Sequence, residues 1–331
     1  MQQRTLGTTG IPVTRMGVGL AALGRPGYVN LGHAEDLGGN YSVAAMEAHT
    51  HDVLDAAWAA GVRLFDAARS YGRSEVFLGN WLRHRKIAPE QVSISSKWGY
   101  TYTAQWQVQA PVHEVKSHTI EVLRRQWGET HSELGDFLRL YQVHSATLDS
   151  GILENTEVLN TLAEYKAKGV AIGLSLSGTD QAETLRRALE VQNDGVRLFD
   201  TVQATWNILE PSAGAALAEA HAAGMGVLVK EGVANGRLTS RNQEPDFAAK
   251  RAVLEQQAQR LGTSLDALAL AAILAQPWAD VVLSGAATVE HVQQNLTALD
   301  VAWDDEAADA LAALAETPQE YWAKRRALPW N

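Results

Sequence analysis

The feature that most constrains this chain is a phrase that recurs along it: a helical stretch, one glycine, then a short apolar run. It occurs at Ala60-Gly61-Val62, Lys168-Gly169-Val170 and Ala223-Gly224-Met225. Glycine just past a helix adopts the left-handed conformation that closes it, so each phrase marks a helix ending before a strand. Reading outward from these points, eight strands are expected, at Met16–Leu20, Val62–Phe65, Val92–Lys97, Leu138–His144, Val170–Ser175, Thr201–Trp206, Val227–Lys230 and Asp280–Gly285. Helical stretches separate them at His49–Ala60, Ser74–Arg85, Pro111–Trp127, Thr156–Lys168, from Thr179 or Asp180 onward, at Pro211–Ala223 and within 247–276. Strands alternating with helices imply a parallel sheet, and eight such units fit a closed (β/α)8 barrel. A doubly wound open sheet is the main alternative, but no Gly-x-Gly-x-x-Gly joins an early strand to a helix. The expected fold is therefore an α/β (β/α)8 TIM barrel, read as a single domain over residues 1–331. An N-terminal β-hairpin at Arg4–Val13, with Thr9-Gly10 in its turn, precedes it. A C-terminal helix at Asp305–Leu314 and an aromatic tail with Tyr321, Trp322 and Trp330 follow. Residues 24–46 are rich in Gly, Asn and Pro without a period, which reads as a long loop of the kind that often carries function.

Composition narrows the partners. A formal net charge of -10 disfavours a nucleic-acid partner. The chain has no cysteine, which removes disulfides, thiolate zinc sites and thiol nucleophiles, and fits a reducing, cytoplasmic setting. Met1–Gly7 lacks the apolar core of a signal peptide. The most apolar stretch, Leu265–Trp278, is interrupted by Asp266, Gln276 and Pro277, so it reads as a buried helix and no membrane partner is expected. The ten histidines show no metal-binding spacing beyond His49 and His51, read as surface residues near a helix start, so no metal is expected. Oligomeric state is left open.

In a barrel of this kind chemistry gathers at the C-terminal ends of the strands. The strand ends here carry Asp66 and, five residues on, Tyr71; then Lys97, His144, Ser175, Gln203 and Trp206, Lys230 and Glu231, and Ser284 and Gly285. Each has a plain structural reading: a lysine closing a strand is usually solvated, and a histidine there is usually a hydrogen-bonded structural residue. The order Asp, Tyr, Lys, His on three successive units is what argues for a site.

The motifs Phe65-Asp66-Ala67-Ala68-Arg69-Ser70-Tyr71-Gly72, Ser96-Lys97-Trp98-Gly99 and Leu140-Tyr141-Gln142-Val143-His144 resemble those of the aldo-keto reductase family. Ile172–Ser175, Val202–Asn207 and Ser284-Gly285 with Asn295 extend the likeness from the hairpin to Asn295. The resemblance implies a barrel that transfers hydride between a nicotinamide cofactor and a carbonyl or alcohol. Hydride arriving at a carbonyl carbon leaves negative charge on its oxygen, which an acid must neutralise. The resemblance then implies Tyr71 as proton donor and Lys97 beside it, lowering the phenol's pKa. Asp66 would pair with Lys97, and His144 would orient the carbonyl. It also implies cofactor contacts. Ser175 and Gln203 would meet the nicotinamide carboxamide, with Trp206 stacked on the ring. Lys230 and Arg237 would lie in a loop over the pyrophosphate, and Gly285, Thr288, His291, Gln294 and Asn295 would reach the adenosine end.

Two departures from the family pattern stand out. Leu176 follows Ser175 where Asn is usual, and Lys230-Glu231-Gly232 replaces an aromatic-Ser-Pro start. The family preference is for NADPH, yet residues 285–291 offer only Thr288 and His291 where Lys or Arg commonly meets a 2′-phosphate, so NADH is possible. Tyr28, Trp98, Trp106 and Trp322 are candidate walls of a substrate pocket for a small or partly apolar carbonyl compound: an aromatic aldehyde, a ketoaldehyde such as methylglyoxal, or a sugar aldehyde. The leading expectation is a cytoplasmic NADPH-preferring carbonyl reductase serving aldehyde detoxification. The alternatives are an NAD-dependent sugar or alcohol dehydrogenase, and a cofactor-binding regulatory subunit with little turnover.

Overall fold

The computed structural model of the protein describes Met1 and residues 3–331. Eight parallel strands close into a barrel: β1 (Met16–Gly19), β2 (Leu64–Asp66), β3 (Ser93–Trp98), β4 (Leu138–Ala146), β5 (Ala171–Leu176), β6 (Thr201–Thr205), β7 (Gly226–Lys230) and β8 (Val281–Ser284). Each pairs with the next in sequence, and β8 returns to β1 through Val282 beside Met16 and Ser284 beside Val18. All eight expected strands are present, offset by a residue or two at most. Gly61, Gly169 and Gly224 close the preceding helices with φ of 93°, 93° and 81°.

Alternation within each strand sorts side chains between two cores. Outward-facing Phe65, Ile94, Tyr141, Val143, Ile172, Leu174, Val202, Val227 and Val229 pack under the surrounding helices with Leu78, Trp81, Leu162 and Leu217. Inward-facing Leu64, Leu140, Leu228 and Leu283 form a separate apolar floor. The N-terminal hairpin, Gln3–Thr5 paired with Pro12–Thr14, plugs that floor with Leu6, Ile11 and Val13. Above the floor the interior turns polar, with Asp66, Ser95, Lys97, Gln142, Gln203 and Lys230 following at the strands' C-terminal halves.

Four expectations are corrected. The first barrel helix begins at Val43, well before His49, because the Ser42 hydroxyl accepts the Ala45 N–H and nucleates it earlier. His49 and His51 are part-buried and bond the carbonyls of Ala287 (2.5 Å) and Phe77 (3.0 Å). Pro111–Trp127 is not one helix: Tyr100–Tyr102 and Glu114–Lys116 pair as a hairpin, and the helix runs Ile120–Leu134 from a Thr119 cap. Tyr321 and Trp322 lie on a helix, Pro318–Ala327, opened by a reciprocal Thr317–Glu320 capping box. Among the described residues no helix is long and apolar enough to cross a membrane, and no cluster of three His, Asp or Glu could hold a metal ion.

The interior is tight where β5 meets β6. A Cβ on Gly173 would sit 2.1 Å from Thr201 Oγ1 and 3.2 Å from Gln142 Cγ. Gly173→Ala should therefore cost about 1–3 kcal/mol by overpacking. Thr201→Ala in the same chain should recover part of that loss. Urea midpoints of the wild type, both single variants and the double variant check this; an unshifted midpoint for Gly173→Ala would show the interior to be looser than described.

Candidate active site

The site begins with an ion pair inside the barrel. The β2–β3 register sets Asp66 beside Ser95, and the β3–β4 register sets Lys97 beside Gln142. The Lys97 ammonium donates to Asp66 and to the Ala67 carbonyl (3.1 Å), while Asp66 also accepts from the Ser95 hydroxyl and from Gln142 Nε2 (3.3 Å). A buried pair is stable only when its remaining hydrogen-bonding positions are filled in this way.

Tyr71 reaches the pair from the loop after β2. Three contacts fix that loop. The Arg69 N–H donates to the Lys97 carbonyl (3.0 Å), the Arg69 side chain pairs with the buried Glu75 (2.5 Å), and Arg25 donates to the Ser70 carbonyl (3.0 Å). The Tyr71 hydroxyl then lies 3.5 Å from Lys97 Nζ and 3.5 Å from His144 Nε2. Burial pushes the Tyr71 phenol well above its usual pKa, and the Asp66 carboxylate adds to the rise. The direction is opposite to the expected lowering, because the desolvated phenolate is disfavoured and the Asp66 charge disfavours it further. His144 is held neutral, because burial and then the Lys97, Lys230 and Arg25 cations all disfavour its protonation. The Ser70 hydroxyl is 3.4 Å from His144 Nδ1; when it donates there, the ring proton sits on Nε2, facing the tyrosine.

These groups open onto a cleft of about 430 Å3 across the C-terminal face of the barrel. Asp66, Tyr71, His144 and Tyr28 line one end; Gln203 and Lys230 follow; Gly285, His291, Gln294 and Asn295 line the other. Lys97 sits behind Asp66 and Tyr71. Gln203 Nε2 is buried and has no hydrogen-bond partner among the described residues, a donor suited to the carboxamide oxygen of a nicotinamide. Asn295 Nδ2 donates to Ser284 Oγ (2.8 Å), tying the far end to β8.

Other expected residues lie outside the cleft lining. The Ser175 hydroxyl oxygen accepts the Ser145 N–H (2.8 Å), at a β4 bulge where Ser145 has φ of 52°. Trp206 turns outward against Trp278 (5.5 Å between rings), since it follows the inward-facing Thr205. Arg237 is buried on Glu316 (2.6 Å), and Thr288 caps the helix Val289–Leu296. Trp98 packs edge-on to His118, Trp106 donates to the Tyr41 carbonyl (2.6 Å), and Trp322 is buried against Tyr321.

Charged groups stand beside Tyr28 and Trp330 at the Tyr71 end of the cleft; the sequence marked Lys230 and Glu231 among them but not Arg25, Glu114 or Arg325. Arg25, 3% exposed, pairs with Glu114 (2.9 Å) and lies over the rings of Tyr28, Tyr71 and Trp330 at 5.4, 5.3 and 4.8 Å. Trp330 stacks on His113 at 3.8 Å, and Asn331 exchanges backbone hydrogen bonds with Tyr28 (3.1 and 3.2 Å), so the tail roofs this end. Glu231 takes a fork from Arg325 (2.6 and 2.9 Å), and against the effect of burial that guanidinium and Lys230 hold its carboxyl pKa down at about 2. Burial brings Lys230 down to about 8. The one local signal was an arginine set alone in a Gly- and Pro-rich loop.

Comparison with known proteins places this arrangement. Residues 17–316 match the aldo/keto reductase family. The chain is 26% identical to the NADH-specific methylglyoxal reductase of Escherichia coli (strain K12), over 96% of this chain and 99% of that protein. It is 27% identical to pyridoxal 4-dehydrogenase of Microbacterium luteolum, over 57% of this chain and 58% of that one. The solved aldo-keto reductase AKR11C1 of Bacillus halodurans, in its holo form, shares the fold with a TM-score of 0.74 at 20% identity, over 96% of this chain and 97% of that one. The chain belongs to the aldo/keto reductase family, a class of NAD(P)H-dependent oxidoreductases.

Proposed function

We propose that the protein reduces small aldehydes or ketones to alcohols, with Tyr71 as the proton donor. The observation that carries this reading is the convergence of the Lys97 ammonium and the neutral His144 on one phenol, 3.5 Å from each, at the mouth of a cleft. A reduced nicotinamide bound along the cleft would supply the hydride, and Gln203, Gly285, Gln294 and Asn295, which line the cleft, would hold that cofactor. The protein's own residues manage the oxygen. The His144 Nε2 proton and the Tyr71 hydroxyl both point to where a substrate oxygen would stand. As negative charge builds on that oxygen, Tyr71 releases its proton to it. Lys97, kept in place by Asp66, stabilises the phenolate that remains.

The name of the Escherichia coli relative supports a ketoaldehyde of the methylglyoxal type as one substrate. The Arg25–Glu114 and Arg325–Glu231 pairs favour a second reading: a cleft end lined by charge pairs suits a substrate with several hydroxyl groups, including a sugar oxidised in the dehydrogenase direction.

Tyr71→Phe should lower kcat for carbonyl reduction by about 10²–10⁴-fold while leaving cofactor affinity intact. Wild-type turnover in that variant would remove Tyr71 from the role. Lys97→Met should lose on the order of 10²-fold; near-normal rates would mean that the ammonium is dispensable. Lys230 is a cleft group whose charge changes close to neutral pH, at about 8. Reduction should weaken as pH rises through about 8, because loss of the ammonium removes positive potential from the developing oxyanion. Lys230→Met should flatten that profile; an unchanged inflection there would place the titration on another group.

A further inference from the structure

The far end of the cleft is closed by a three-residue clasp that joins loops from distant parts of the chain. Arg241 follows β7, Asp36 ends a short helix in the loop after β1, and His291 lies on the helix after β8. Arg241 forks onto Asp36 through both terminal nitrogens. Its NH1 also donates to the carbonyls of Leu31 (3.0 Å) and Gly32 (3.1 Å), and its NH2 lies 3.3 Å from His291 Nε2. The NH1 hydrogens and one NH2 hydrogen of the guanidinium are thus committed; the other NH2 hydrogen faces His291 Nε2, which carries the ring proton when Nδ1 accepts the Ala287 N–H (3.4 Å). Asp36 is almost fully buried, and one of its oxygens lies 3.8 Å from His291 Nε2, so the same carboxylate serves both basic residues of this end. Asp266, on the first turn of the helix Leu265–Leu274, lines the cleft beside them. Among the described residues its side chain makes no ion pair. Arg237, the other cation of the loop after β7, is spent on Glu316 outside the lining.

We propose that this clasp makes the protein select NAD(H) over NADP(H), with Asp36 and Asp266 as the residues that set the preference. The inference rests on the reading of the cleft as a nicotinamide-dinucleotide site with its adenosine end at His291–Asn295. A 2′-phosphate brought there is a dianion, and binding it takes cations with free N–H groups. Arg241 and His291 are already answered by Asp36, and the carboxylate facing the cleft is Asp266, which would repel a phosphate. A ribose carrying a free 2′-hydroxyl meets the opposite situation, because a hydroxyl donates to a carboxylate. The same chemistry separates the two cofactors in doubly wound folds, where an acidic residue takes the 2′-hydroxyl and an arginine takes the 2′-phosphate. Asp36 acts as a positioning residue through Arg241 and His291; Asp266 acts directly.

The test is equilibrium binding, read from quenching of tryptophan fluorescence on titration with NADH and with NADPH, with no carbonyl substrate present. Wild-type protein should bind NADH at least about tenfold more tightly than NADPH, a gap of the size that like-charge contacts produce. Asp36→Asn should free Arg241 and His291 and narrow the gap, mainly by tightening NADPH. Asp266→Asn should narrow it independently, and it carries the test alone if Asp36→Asn does not fold. Binding of NADPH by the wild type as tight as, or tighter than, NADH overturns the proposal. So does a ratio that neither variant moves. Selective NADH binding without carbonyl turnover would remove the proposed function and leave this inference standing, whereas turnover with a preference for NADPH would do the reverse.

Discussion

The site depends on two opposite charges buried against each other inside the barrel, Lys97 and Asp66. Excluding each from water costs several kcal/mol, and their attraction offsets that only if every other polar position is filled. The barrel achieves this by register. Neighbouring strands bring Ser95 and Gln142 to Asp66, and the chain leaving β2 turns the Ala67 carbonyl toward Lys97. With the pair in place, a tyrosine on the following loop has a cation at 3.5 Å and a neutral imidazole at 3.5 Å, the arrangement on which its proposed role as the acid rests. Removing either charge would strand the other in the interior, so stability and chemistry share this contact.

The barrel separates the two tasks along its axis. Its N-terminal end is an apolar floor sealed by the hairpin, where Leu6, Ile11 and Val13 meet inward-facing leucines. Its C-terminal end is polar and is covered by three excursions of the chain: the loop after β1, the loop after β7, and the C-terminal helix with its tail. These excursions hold one another. Leu31 bonds the Asn235 carbonyl (3.1 Å), Asn235 bonds Val29 (2.8 Å), and Asn331 bonds Tyr28 (3.2 Å). Glu231, in the left-handed region at φ of 57°, is kept there by Arg325 from the last helix. Strain of this kind persists only where the surroundings over-determine it, and it sits beside the proposed chemistry.

The sequence by itself determined the eight strands, the helix-closing glycines and the ends of the strands, because these follow from periods of two and 3.6 and from the backbone freedom of glycine. A residue ending a strand of a closed barrel has one place to go, so Asp66, Lys97, His144 and Gln203 could be brought to one face without knowing the structure. Local pattern also misled, as in Pro111–Trp127, where cross-strand pairing of Tyr100–Tyr102 with Glu114–Lys116 overrode a helical reading. Only the tertiary structure decided the rest. Trp206 faces outward because one residue of register separates it from the inward-facing Thr205, and a strand reverses its facing at every step. Arg25 meets Glu114 across 89 positions, and Arg241 meets Asp36 across 205. Such contacts join residues far apart in sequence, so no local pattern marks them. They exist because the barrel brings all its C-terminal loops to one rim.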